Sequence, residues 1–357
     1  MTKEELIDLL ENRKKEYLEK SANFNSKTAI LICSIDEKNA MISFAENMGI
    51  HFDIVDCFIS EKTLLHWFDV YGNTANYFIS KAVMNDELNR IIVSSGIAPQ
   101  NVYVGPTSTA YFDLYDKREN IYMNADRILK CLDILADEES KQTLINIVVR
   151  LLLPYQFHYE YTVEDFSQYY PHVFKWTDKE VYIDAGVSDG INVFQFVEKV
   201  DWKYSKIVAI EADTNNYKLA ENNLAYIEKL DLINNALFSH ECTLKFLSTD
   251  KSTKRGNARV QDDGDICVNA ISGDSLSIVP TYIKMDIEGA EMAALDGFYK
   301  SIVEYTPKLA ICAYHSQTDF WEIPLKLYEM NPEYKIILRN HEHLETLIET
   351  VAYAWKE

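Results

Sequence analysis

The densest chemistry in the chain lies in YIKMDIEGAEMAALDGF, residues 282–298, where Asp286, Glu288 and Glu291 fall within six positions. Asp286 closes an apolar run, Glu288 follows two residues later, and Glu291 enters the first turn of a helical pattern. Carboxylates crowded at a buried strand end are costly unless they are paired or used. That placement suits them to orienting an acceptor or accepting a proton. Glu291 reads equally as an acid favouring a helix N-terminus. His315 ends the next apolar run, KLAICAYH, and reads either as a polar cap of that strand or as a partner of the acids. His341 and His343, near the C-terminus, read as loop residues or as further ligands. Carboxylate with imidazole suits Mg or Mn, although this spacing does not demand a metal.

A second stretch, VYIDAGVSDGINVFQF (181–196), joins an apolar run to a helical pattern through a turn with two glycines. Such a turn bares backbone amides and a helix N-terminus to a ligand. Asp184 closes the strand, and Gly186 and Gly190 bracket the turn. The following strand candidate ends in Glu211 and Asp213, where a carboxylate can accept both ribose hydroxyls of an adenosine. The spacing fits NAD and S-adenosylmethionine alike. In G-V-S-D-G, however, Ser188 and Asp189 occupy the space a pyrophosphate needs. A carboxylate at Asp189 repels diphosphate and tolerates a sulfonium and an ammonium. A basic run, KSTKRGNARV (251–260), reads as a solvated loop or, through Lys254, Arg255 and Arg259, as a seat for an anionic acceptor.

These groups need a scaffold, and 357 residues suffice for two domains. Lysine and arginine number 35 against 56 acidic residues, a net charge of −21 spread along the chain, which disfavours nucleic acid and anionic membranes as partners. No apolar run approaches the length of a membrane span, and the N-terminus lacks a signal core, so a cytoplasmic location is expected. Cys33, Cys57, Cys131, Cys242, Cys267 and Cys312 are scattered with no C-x-x-C spacing, the pattern of reduced, buried thiols.

Along the chain the reading is an amphipathic helix at 1–22, a small α/β domain at 23–118, a helical connector at 119–170 and a larger α/β domain at 171–357. In the first α/β domain the run KTAILIC feeds the turn CSIDEKN, which has no glycine to admit a pyrophosphate. A docking or dimerising role is expected for it. The larger domain offers strands at 181–186, 206–213, 231–238, 281–288 and 308–315, then YKIILRN and ETLIETVAYAW as a closing hairpin. That hairpin sets an antiparallel strand into an otherwise parallel sheet, an arrangement that favours a methyl-donor enzyme over a nicotinamide one.

From about Gln168 to Trp355 the chain resembles the FkbM-type S-adenosylmethionine-dependent methyltransferases. The likeness rests on QYY, DAGVSDG, IEAD, IKMDIEGAEMAALDG, AYHSQTDFWEIP and the ending YKIILRNHEH to ETVAYAW. The N-terminal half resembles, more loosely, a degenerate Rossmann-like module. The resemblance implies a class I, Rossmann-like sheet and O-methyl transfer, commonly to a sugar hydroxyl of a polysaccharide, glycolipid or secondary metabolite. It further implies a donor site of Asp184, Gly186 and Gly190 at the methionine portion, Glu211 at the ribose, and Asn235, Ala236 and Leu237 beside the adenine. Gln168 and Tyr169 would fold over the donor. The base is then His315 or Asp286, with Glu288 as orienting group, and Glu291 and His341 join the basic run on the acceptor side. A binding protein with a decayed methyltransferase fold and a nicotinamide oxidoreductase are the competing readings.

Overall fold

The structure, a computed structural model, describes residues 2–12, 27–47, 51–57, 60–80, 91, 94–98, 101–105, 118–152, 167–246, 266–341 and 349–356. The chain divides into two compact units, one founded on Met1–Leu129 and the other on Val163–Glu342 together with Lys130–Thr143 and the C-terminal strand. Among the described residues no helix is long and apolar enough to cross a membrane.

The first unit holds helix α1 (Lys3–Asn12), strand β1 (Thr28–Ile32), α2 (Lys38–Asn47), β2 (Ile54–Asp56), α3 (Glu61–Tyr71), β3 (Ala75–Ser80) and β4 (Val102–Gly105). The expected 22-residue helix is described only over Lys3–Asn12. The four strands are all parallel in the order β2-β1-β3-β4. Every residue of β3 is buried, as befits a central strand covered on both faces. α3 starts cleanly because Ser60 and Thr63 form a reciprocal capping box. Its Leu64 and Phe68 pack with Ile30, Ile32, Tyr77 and Ile79.

Ligands of open α/β sheets sit where the strand order reverses, here between β1 and β3. Glu37 occupies that point: its Oε2 accepts the hydroxyls of Ser34 (2.9 Å) and Ser80 (2.5 Å). A carboxylate clamped there repels a diphosphate, the physical counterpart of the missing glycines.

Helices α4 (Arg118–Met123), α5 (Ala125–Ile134) and α6 (Glu138–Leu152) follow. They cover the described part of the segment expected as a helical connector, 119–170. Its segment Lys130–Thr143 belongs to the second unit, where Leu135 bridges to Ile336 and Asp137 pairs with Arg339 Nη2 at 2.7 Å. Ser140 Oγ accepts the Leu338 amide (2.9 Å) and Arg339 Nη1 (2.7 Å). Burial alone would raise the Asp137 carboxyl, but Arg339 and Ser140 outweigh it and hold the group below its ordinary value.

The second unit continues with β5 (Val181–Ala185), α7 (Ile191–Lys199), β6 (Lys206–Ile210), α8 (Thr214–Asn223), β7 (Leu230–Ile233), β8 (Ala236–Leu237), β9 (Cys242–Phe246) and β10 (Ile266–Ile271). Next come β11 (Tyr282–Met285), α9 (Glu291–Gly297), α10 (Tyr299–Tyr305), β12 (Lys308–Cys312), α11 (Asp319–Met330), β13 (Lys335–Asn340) and β14 (Thr350–Trp355).

Seven strands form one sheet in the order β13-β14-β12-β11-β5-β6-β7, and β14 runs antiparallel to both of its neighbours. The closing hairpin therefore stands as expected from sequence. The single strand expected over 231–238 does not: β7 ends at Ile233, and Ala236–Leu237 pairs with β10 in a separate three-stranded sheet, β8-β10-β9. Asn234 and Asn235 break the run, because their short amides bond neighbouring carbonyls instead of continuing a ladder.

Aromatic rings fill the core beside β5 and β11. Tyr182 stacks on Tyr282 (centroids 4.9 Å, 11°) and on Phe196 (4.3 Å). Each such pair adds about 0.5–1.5 kcal/mol beyond its area. The strand order reverses between β5 and β11, which makes the carboxyl ends of those two strands the crevice to inspect.

Candidate active site

The turn after β5 is shaped by contact with β11. Gly186 has φ +78°, and a Cβ there would lie 1.8 Å from the main-chain oxygen of Asp286. Only glycine fits such an approach. The amides of Gly186 and Val187 both donate to Ile210 O, at 2.9 and 3.2 Å. Gly190, at φ +94°, precedes α7 and gives it no side-chain cap. Ser188 is exposed in a left-handed conformation at φ +51°. Asp189 is exposed too, and its Oδ1 accepts the Ile191 amide at 3.1 Å. Its carboxylate thus already serves the turn, a local role the charge argument did not foresee.

Glu211, at the end of β6, is buried, and its carboxylate accepts the amides of Ser188 (2.8 Å) and Asp213 (2.8 Å). It therefore fastens the glycine turn to the second strand, with further lone pairs left on each oxygen for hydroxyl donors. Asp213 caps α8 by accepting the amides of Asn215 and Asn216. Asn234 had no place in the sequence reading, yet its amide donates to Glu211 O at 2.8 Å. Asn235 donates to Asn269 O (3.3 Å), and Ala236 and Leu237 are buried in β8.

Beneath the turn lies a group that the pattern of a buried strand concealed. Lys284, on β11, and Asp184, on β5, are both 0% exposed, with Nζ 3.0 Å from Oδ1. Nζ also donates to Gly186 O at 2.9 Å and stands 5.2 Å from the centre of the Tyr169 ring. Burial opposes a charge on the lysine, but the Asp184 carboxylate outweighs it and holds the ammonium above its ordinary value. A cation inside the otherwise apolar run YIKM was the available signal for such a partner.

Asp286, Glu288 and His315 do converge. His315 Nε2 lies 3.4 Å from Asp286 Oδ1 and 3.6 Å from Glu288 Oε2, and Nδ1 lies 2.9 Å from Glu291 Oε1. Glu288 sits at φ +57°, a strained backbone that turns its side chain, 40% exposed, out into the crevice. Glu291 corrects the expectation of an acceptor-facing acid. It is 1% exposed, and its two oxygens accept the amides of Ile287 (2.8 Å) and Gly289 (3.0 Å) as well as facing His315. The helix start draws this carboxylate inward, where it organises the loop.

The charges set proton affinities apart. Burial disfavours the His315 imidazolium, but Glu291 first, then Asp286 and Glu288, raise it to about 10. Burial, with Asp286 and Glu291 adding to it against His315, pushes Glu288 up to about 7. Asp319, buried and close to Glu291, is likewise raised to about 7. At neutral pH the cluster thus holds a fixed cation and an exposed carboxyl poised to exchange a proton.

Tyr169 closes over these acids. It adopts φ +72°, its N–H donates to the Tyr353 hydroxyl (3.1 Å), and its C=O accepts the Tyr282 hydroxyl (2.6 Å). Its own hydroxyl donates to Asp286 Oδ2 at 3.0 Å. Gln168 instead reaches Glu349 Oε2 at 2.6 Å. His341 Nε2 is 2.7 Å from the Tyr353 hydroxyl, which reaches Asp286 only through Tyr169, so His341 does not join the acids as expected. His343, Lys254, Arg255 and Arg259 lie outside the described residues. Asp286, Glu291 and His315 present ligand atoms within 4.8 Å of one another, but Glu291 is already committed to two amides and the imidazole. A divalent ion there would compete with His315 Nδ1 for Glu291 Oε1.

Residues 184–353 match the family model of the methyltransferase FkbM domain. No curated protein matches the sequence. Among solved structures, a methyltransferase FkbM from Methylobacillus flagellatus aligns over 99% of this chain and 98% of its own at a TM-score of 0.68, with 18% identity. An rRNA methylase from Streptococcus thermophilus covers 50% of this chain and 87% of its own (TM-score 0.34, 12% identity). Aeropyrum pernix fibrillarin, solved with natively bound S-adenosyl-L-methionine, covers 51% and 70% (TM-score 0.34, 7% identity). The last two likenesses are too weak to carry weight.

Proposed function

Residues 184–353 form a domain of the FkbM methyltransferase family, and from that premise we propose that the protein is an S-adenosylmethionine-dependent O-methyltransferase acting on a sugar hydroxyl. The observation that carries this reading is the contact between the glycine turn and the acid-bearing strand end. With the Cβ position of Gly186 1.8 Å from Asp286 O, a donor on the turn and an acceptor at the acids share one crevice.

The residues present fit the donor. The turn exposes Ser188 and Asp189 at the start of α7, and the Glu211 carboxylate faces the turn with lone pairs to spare. S-Adenosylmethionine supplies an electrophilic methyl group on a cationic sulfur. The chain's part is to align the acceptor oxygen and take its proton. Gly186, Gly190 and Glu211 hold the donor, with Ser188, Asp189 and Asp213 shaping the turn and the start of α8; Asp184, expected at the methionine portion, is 0% exposed and instead supports the turn from beneath through Lys284. The base expected from sequence is His315 or Asp286, with Glu288 as orienting group; the geometry favours Glu288 in the base's place instead. It is the most exposed, its carboxyl sits near 7, and His315 beside it stays charged to about 10. Asp286, held by Tyr169, orients the acceptor hydroxyl, and His315 keeps Glu288 in position. Lys254, Arg255 and Arg259, outside the described residues, stay the proposed seat of an anionic acceptor on their sequence alone.

Calorimetry with S-adenosylhomocysteine tests the donor half. Binding is expected in the wild type and is expected to weaken at least tenfold in Glu211→Ala. No heat in the wild type would refute the reading. The acceptor half is tested with methyl-labelled donor against a panel of free, nucleotide-linked and polymeric sugars. Label transfer that vanishes in Glu288→Gln, with donor binding intact, supports it.

A further inference from the structure

β1 and β2 run parallel with Ile30 opposite Ile54, Leu31 opposite Val55 and Ile32 opposite Asp56. One residue further, the same register sets Cys33 opposite Cys57. Adjacent strands lie about 4.8 Å apart, which falls inside the Cα separation of roughly 4.4–6.8 Å that a disulfide spans. The Cys33 amide donates to Asp56 O at 3.2 Å, so the two strand ends are tied together at this point. The sulfurs are in contact, 4.0 Å apart. Cys33 is fully buried and Cys57 half-buried, so Cys57 is the more accessible member of the pair.

We propose that Cys33 and Cys57 form a dithiol modification site in the N-terminal unit, closing to a reversible disulfide when a small disulfide such as oxidised glutathione is available. The half-buried sulfur reacts first. Cys57, as thiolate, attacks one sulfur of glutathione disulfide, forming a mixed disulfide and expelling one glutathione thiolate. Cys33 then attacks the Cys57 sulfur, its proton passing to the departing glutathione thiolate. The protein S–S bond forms, the mixed bond breaks, and the second glutathione leaves. Two protein thiols have lost two electrons and one glutathione disulfide has gained them.

The order follows from the surroundings. Burial, the neighbouring Cys57 and Glu37 push the Cys33 thiol up to about 12, so it is a poor first nucleophile but needs only a contact-distance shift to resolve the mixed disulfide. The sequence reading took all six cysteines as buried. The structure places Cys33, Cys131 and Cys312 in the interior but leaves Cys57 and Cys242 half-buried and Cys267 exposed.

The test treats the folded full-length chain with oxidised glutathione, alkylates the remaining thiols, and maps peptides by mass spectrometry. The expected product carries Cys33 linked to Cys57, two hydrogens lighter, and is restored by dithiothreitol. Exposed Cys267 takes a glutathionyl group and reports that the reagent was active. In Cys33→Ser the adduct should remain on Cys57 with no link. The proposal is overturned if wild-type Cys57 keeps its glutathionyl group beside a free Cys33, or if neither reacts while Cys267 does. Both readouts come from the unmutated protein, so they hold even if the variant fails to fold.

Discussion

The Glu291 carboxylate lies 2.9 Å from Nδ1 of His315 while also accepting the amides of Ile287 and Gly289, so one buried acid ties the strand-end imidazole to the loop carrying Asp286 and Glu288. With Nδ1 paired to Glu291, the other ring nitrogen faces the two crevice acids. Glu291 is also the strongest of the influences that raise His315 to about 10. Glu291→Gln keeps the shape and removes the charge. The His315 ring, followed by NMR with His315→Gln as the assignment control, should titrate at least about one unit lower. An unchanged midpoint would show that Glu291 does not hold the proton there.

The buried Lys284–Asp184 pair predicts an asymmetric loss of stability. Lys284→Met strands a carboxylate in an interior that is 0% exposed, which costs roughly 3–5 kcal/mol in a denaturant melt. Adding Asp184→Asn removes the orphaned charge and should restore part of that stability. A single-variant cost under about 1 kcal/mol would mean the pair is not carried as ions.

Two glycines with similar backbones should respond differently to alanine. Gly96, at φ +72°, has nothing within 4 Å of its Cβ position, so Gly96→Ala bears only the left-handed penalty of about 1 kcal/mol. Gly186, at φ +78°, adds the collision with Asp286 O. Gly186→Ala should cost clearly more by thermal melt and abolish S-adenosylhomocysteine binding, whereas Gly96→Ala should leave that binding unchanged.

The proton affinities set a pH dependence. His315 is raised from 6.5 to about 10, so its contribution to stability is complete below 6.5 and disappears as pH rises through 10. Glu288 and Asp319, raised to about 7, act in the same sense at lower pH: the native chain binds their protons more tightly than the unfolded one, and stability falls as pH rises from about 4 through 7. Melting temperature should therefore decline from pH 6.5 to 10, and His315→Gln should flatten that decline. A rise over this range in the wild type would contradict the charge arrangement.

Much of this protein was legible along the chain. The glycine turn, the acids at a strand end, the strand-end histidine and the closing hairpin are local or periodic features, and backbone geometry forces local patterns to show in sequence. The convergence of Asp286, Glu288 and His315 could be expected because strands of a parallel sheet deliver their carboxyl ends to one edge. Tertiary structure alone decided the rest. Lys284 and Asp184 stand a hundred residues apart and met through the β5–β11 register. Cys33 and Cys57 met through the β1–β2 register without any short motif. Glu291 turned inward because two loop amides and an imidazole needed its oxygens more than solvent did. Spacing determines which groups share an element. Register and the demand that buried polar groups be paired determine which of them touch.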